Sequence, residues 1–527
     1  MNLPKAREEN KDSVCVFRWT KGRDRPQGRM VKSRIPSGNV RGASMDQTRR
    51  QFMAYAAGLA GAAAGALQAN AQSGASPEAG SSNAKGLPAK DAPAPKMLEA
   101  REGILKTGDA KAAEVAIWGY DGGFPGPVLR GRKGTEFALR LKNSLKQDTA
   151  IHWRGLRIPN AMDGVAGLTQ PGVRPGGSFD YRFTPPDAGI FLYQAHPADG
   201  AQLAEQVHRG LSGLFIVDED KPPEADADIV LMLADWKLDE KGQLAEPVND
   251  PADTAGAGRI GNFLTVNGKA VPLRHAFRPG ARVRIRIVNM CPARIVGLRF
   301  MGGRPLILAI DGQACSPIDP VQRTIPAAPG ARFDVFLDVP REEGAIVSAV
   351  MYTWPLPGRP DEPPREIFSI TAMGKAVAAR PPIERFPENA GLPGKIELEK
   401  ARRFDLTIET GKDPRTGAPR WNFGNARARL PGPVNKPFLN VALGRPVSIG
   451  FVNKTPFPEV MRVHGHLVRL LHPFDDGWDP YWRDSVIVPP GKTVRIAFLA
   501  ENPGAWRIGS AIAAHAGAGL FHWLKIE

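Results

Sequence analysis

A chain of 527 residues is long enough for three domains of ordinary size, and 42% hydrophobic with 24% charged residues is a globular composition. Abundant Gly (57) and Pro (50) favour a turn-rich β chain over a helical one. The net charge of +16 suits loose attachment to acidic surfaces, but no basic run interleaved with aromatics points to nucleic acid, and three cysteines are too few for a disulfide scaffold.

Taken in chain order, residues 1–44 read as a structureless extension, and Met45 is a candidate true start. Residues 45–71 contain Arg49-Arg50, then Phe52, an Ala/Gly-rich apolar run and Ala69-Asn70-Ala71. This pattern resembles a twin-arginine export signal with its cleavage site, so the expected location is the periplasm. The run is too short and too rich in Ala and Gly to span a membrane well, and the mature protein is expected to have no transmembrane span. Residues 72–96 read as a flexible tether of Gly, Ser, Ala and Pro.

Two short patterns then recur three times. A Gly is followed nine residues later by Asn, with an alternating segment between: Gly134 to Asn143, Gly280 to Asn289 and Gly444 to Asn453. A Pro-Gly pair opens a second alternating segment from Pro175, Pro329 and Pro490. Period-two alternation predicts half-buried strands, and repetition at domain spacing predicts three β-sandwiches in series. The expected domains are 97–222, 223–385 and 400–527, with a Pro- and Gly-rich linker at 386–399. Cys291 and Cys315 fall in the second domain, either as a disulfide or as two separate buried thiols.

The segment from Ala150 to His196 contains His152-Trp153-Arg154-Gly155, Asp163-Gly164, Thr169-Gln170 and Tyr193-Gln194-Ala195-His196. The last domain contains Glu459 to His466 and then Gly509-Ser510-Ala511 with His515. These frames resemble the copper motifs of the multicopper oxidase family. That resemblance implies an all-β protein of three tandem cupredoxin (plastocyanin-like) Greek-key sandwiches. It also implies ten histidines and one cysteine as copper ligands. Four of those positions keep histidine: His152, His196, His464 and His515. The others carry Arg154, Gln194, Glu459, Arg462, Gly509 and Ala511. Ser510 stands at the cysteine position, and Leu520 at the axial methionine.

A blue copper centre needs a thiolate, and Ser510 cannot supply one. The expectation is therefore a protein without cofactor or catalytic residues, similar to the copper-free SufI-type periplasmic proteins, that works by binding a periplasmic protein or a component of the cell envelope. The alternative is a copper-binding oxidoreductase with a rearranged, non-blue site. Arg154 and Arg462 are expected to fill the vacated space, with Asp163 and Glu459 as counter-ions. His464 and His466 could form a two-toothed metal clamp on one strand face.

Overall fold

The computed structural model describes residues 94–112, 114–389, 391–424, 436–472 and 477–527. The export-signal segment and nearly all of the tether lie outside these residues. The first strand begins at Lys96. The described residues form three cupredoxin-like β-sandwiches. The first has two four-stranded sheets, the second a seven- and a five-stranded sheet, and the third two five-stranded sheets. No described helix is long and apolar enough to cross a membrane.

The two repeated patterns are neighbouring antiparallel strands in every sandwich. They are Phe137–Asn143 with Ser178–Phe183, Arg282–Asn289 with Arg332–Asp338, and Pro446–Asn453 with Thr493–Leu499. The recurring Asn has a structural cause. Asn143, Asn289 and Asn453 are buried, and each side-chain amide donates to two backbone carbonyls at 2.7–2.9 Å. Each Oδ1 accepts the N–H two residues on, from Leu145, Cys291 and Thr455. The glycines of the Pro-Gly turns, Gly176, Gly330 and Gly491, donate their N–H to the carbonyls of the same three Asn residues. Buried backbone groups must find partners, and one Asn per sandwich supplies three of them where a strand turns away from its sheet.

Half-burial describes both strands of the first copy and Thr493–Leu499 of the third. In the second sandwich Arg282–Asn289 is buried on both faces. Its polar face holds arginines sealed into ion pairs: Arg284 Nε donates to Asp334 Oδ1 at 2.7 Å and Arg286 Nη2 to Asp228 Oδ2 at 2.8 Å. The segment after the second sandwich covers this face. The Phe386 ring lies beneath the Arg284 guanidinium at 5.0 Å and packs edge-on against Phe336. Cys291 and Cys315 are both buried free thiols, so they do not form a disulfide. Each sulfur is spent on a backbone carbonyl contact of its own, Cys291 with Leu233 and Cys315 with Ile307.

The first and third sandwiches clasp directly. Arg157 pairs with Glu501 at 2.9 Å, Asn160 Nδ2 donates to the Ala505 carbonyl at 2.6 Å, and Asn502 Nδ2 donates to the Ile158 carbonyl at 3.0 Å. Helix α1 (Gly200–His208), capped by the Asp199 carboxylate accepting from Gln202 N–H, lies against helix α2 (Ala513–Gly517), with Leu203, Val207, Ala513 and Ala516 between them.

Candidate functional site

Strand Ile151–Arg154 pairs with Gly189–Ala195, which sets His152 opposite Gln194. Residues two apart share a strand face, so His152 and Arg154 enter the same space. Across the junction, Glu459–Val463 runs between Ser485–Val488 and Gly504–Ser510, with Arg462 opposite both Ser485 and Gly509. Gly509 carries no side chain because a Cβ there would come within 2.6 Å of the Leu520 carbonyl oxygen.

The junction brings three of the four predicted histidines together. His152 and His464 stack with ring centroids 4.0 Å apart and planes 15° from parallel. His196 stands edge-on to both, at 5.6 and 5.8 Å. The fully buried Asp163 carboxylate spans the stack, with Oδ1 3.3 Å from His152 Nδ1 and Oδ2 3.3 Å from His464 Nδ1. His152 Nδ1 also lies 2.8 Å from the Asp163 carbonyl. A carbonyl only accepts, so this nitrogen carries the hydrogen and Nε2 keeps the lone pair, buried without a partner. Burial, then the Arg462 charge, holds His152 well below the usual imidazole range. Burial and Arg507 do the same for His196, and burial and the neighbouring His152 for His464. Burial raises Asp163 to about 7 despite Arg462, His466 and Arg507.

Arg154, Arg462 and Arg507 are each at most 8% exposed. Arg154 Nη2 donates to the Pro329 carbonyl at 3.0 Å, and its guanidinium lies over Gly330, where a Cβ would come within 2.1 Å of Cζ. Arg332 Nη2 pairs with Asp484 Oδ2 at 2.9 Å, and Asp311 accepts the N–H groups of Arg332 and Asp484. Burial raises Asp484, but Arg332, Arg462 and Arg154 outweigh it and hold the carboxyl at about 2. Arg332, Asp311, Asp484 and Arg507 were absent from the sequence reading. Only Arg507, two residues before Gly509 and so on the same strand face, carried a signal that could have found it.

His515 has different surroundings. It stacks on Trp421 at 3.7 Å, its Nδ1 bonds the Glu459 carboxylate, and its Nε2 lies 3.0 Å from the Gly256 carbonyl. Ser510 Oγ donates to Glu459 Oε2 at 2.9 Å and accepts the Ile512 N–H at 3.0 Å. Glu459 is therefore the partner of His515, not a counter-ion of the arginines. Asp163 does act on Arg462, together with Asp484. The clamp expected of His464 and His466 does not form. His466 Nδ1 bonds the His464 carbonyl, and its ring packs between Phe498 and Trp506.

Residues 105–222 and 402–527 match the sequence profiles of multicopper oxidases. The chain is 27% identical to the multicopper oxidase MmcO of Mycobacterium tuberculosis over 73% of its own length and 78% of that protein's. It is 30% identical to the cell division protein FtsP of Xenorhabdus nematophila, over 58% of this chain and 63% of that one. Among solved structures, Lac15 from a marine microbial metagenome superposes with a TM-score of 0.64 at 30% identity, over 82% of this chain and 100% of that one.

Proposed function

The chain belongs to the multicopper oxidase family, and from that premise we propose that it is a copper-free, non-catalytic member, exported by the twin-arginine route to the periplasm, that works by binding another protein or a component of the cell envelope. The observation that carries this reading is the closed bonding of Glu459, Ser510 and His515. A blue copper centre takes two imidazoles and a thiolate. Here a carboxylate, a hydroxyl and one imidazole stand at those positions and spend their polar atoms on one another and on the Gly256 carbonyl and Ile512 N–H. The cluster positions fit copper no better, since Arg154 and Arg462 would set permanent cations beside the metal. The similarity to FtsP, a cell division protein, supports a role in recognition at the envelope.

A second reading, one non-blue metal ion, rests on His152, Asp163 and His464, whose ligand atoms lie within 4.8 Å of one another. It is the weaker one. Two rings 15° from parallel aim their in-plane lone pairs side by side rather than at one point, and Arg462 opposes a cation there.

Metal content by mass spectrometry after incubation with excess copper, with phenol-oxidase turnover measured alongside, tests the proposal. Near-zero copper and no turnover are expected. Stoichiometric, tightly held copper would overturn it.

A further inference from the structure

The junction between the first and third sandwiches holds more buried positive charge than its carboxylates neutralise. Asp484 is ion-paired to Arg332, and Asp311 is occupied by two backbone N–H groups. That leaves Asp163, already spanning His152 and His464, to face Arg462 and Arg507, while Arg154 feels only Asp484 and Asp311, both already engaged. None of these three guanidinium groups has a carboxylate within ion-pair distance among the described residues. Arg154 has the Pro329 carbonyl, and Arg507 has a long bond to the Ala516 carbonyl and the face of Phe521. Arg462, 5% exposed, has no acceptor at all among the described residues, and its Nε is sealed without one. The three are close enough that Arg462 repels both others, and burial with this repulsion lowers Arg154 and Arg507 to about 9, still charged at neutral pH.

Buried charge of one sign requires an opposite charge in contact, and the described residues do not provide it for these three guanidinium groups. We propose that this junction is a binding site for a single small inorganic anion of the chloride class, held by the guanidinium of Arg462 with Arg154 and Arg507 beside it. A halide suits the site because the surrounding imidazoles are neutral and the free donors are all N–H groups. The inference rests on the absence of copper from the same space.

The test uses the full exported chain, assayed for metal and dialysed into sodium gluconate. Chloride, and separately bromide, then replaces gluconate at constant ionic strength while the melting temperature is followed. A saturable rise of about 5 °C is expected for both halides, and the rise should vanish in Arg462→Met. A bromide soak of crystals should give an anomalous peak within hydrogen-bonding reach of Arg462, and this peak decides the matter if the variant fails to fold. Equal melting temperatures in halide and gluconate, with no bromide peak, would overturn the anion site and leave the copper-free reading standing. Copper in the assayed protein at this junction would overturn both.

Discussion

His515 and Glu459 form a completely buried pair in which both imidazole nitrogens face acceptors, the Glu459 carboxylate on one side and the Gly256 carbonyl on the other. The ring also stacks on Trp421 with centroids 3.7 Å apart. The pair joins strand Glu459–Val463 to helix α2, and Ser510 adds strand Gly504–Ser510 to the same junction.

Glu459→Gln should therefore replace one of the two oxygens that face His515 Nδ1 and Ser510 Oγ by an amide NH2 and weaken this buried contact. Leaving a buried hydrogen-bonding group without its partner costs about 1–3 kcal/mol. The midpoint of denaturant unfolding should fall accordingly, whereas Glu459→Met combined with His515→Phe should recover most of the loss. A Glu459→Gln variant as stable as the parent would show that this contact does not hold the region together.

Restoring the thiolate alone should not restore copper. Ser510→Cys leaves Glu459 bonded to His515, so no visible charge-transfer band is expected with added copper. Glu459→His with Ser510→Cys supplies two imidazoles and a thiolate and should bind about one copper ion with such a band. Absorption spectra of the two variants separate these outcomes.

The junction sets a pH dependence with two opposed parts. The pKa values of His152, His196 and His464 are depressed, so the folded state holds fewer protons than the unfolded chain below the ordinary imidazole value. Their contribution rises with pH and is complete above about 6.5. Asp163 is raised to about 7, so its folded form keeps a proton that the unfolded chain loses near 3.8, and its contribution falls across that interval. Burial raises Asp311 as well, and three histidines against two carboxyls still make stability climb between about pH 4 and 6.5. Asp163→Asn should steepen the climb, as read from melting temperature against pH.

Asn143, Asn289 and Asn453 should be equivalent in their own sandwiches. Replacement of any one by Ala leaves two carbonyls and one N–H buried without partners, at about 1–3 kcal/mol per orphaned group. Hydrogen exchange at Leu145, Cys291 or Thr455 should accelerate in the altered sandwich and not in the other two.

The contact of helix α1 with α2 depends on Gly200. A Cβ there would sit 2.2 Å from the Gly517 carbonyl oxygen. Gly200→Val should push the first and third sandwiches apart and speed proteolysis between them, with the hydrophobic cores intact.

The fold was legible because strand alternation and turn glycines are local signals, and the Asn and Pro-Gly patterns recur with the strands they begin or end. The likeness to copper motifs located His152, His196 and His464 because each lies on or just beyond a strand whose register is fixed by the frame. The partners of the substituted residues were not legible. Glu459 looked like a counter-ion for arginine because both stand at ligand positions. Strand Glu459–Val463 alternates, however, and sends Glu459 and Arg462 to opposite faces, one toward His515 and the other toward Asp163. Asp311, Arg332 and Asp484 come from segments that share no motif with the site and meet it only when the three sandwiches close. The full burial of Arg282–Asn289 was equally hidden, since it depends on Phe386 folding back over the sheet.

The clasp between the outer sandwiches has a topological consequence. Arg157 and Glu501 are 344 positions apart in the chain, as are Ile158 and Asn502. The polypeptide is thus a loop fastened at its two ends rather than three beads on a string. A single protease cut in the segment after Ala372, whose described residues contain no strand before Arg402, would yield two fragments on a denaturing gel and one particle on a sizing column.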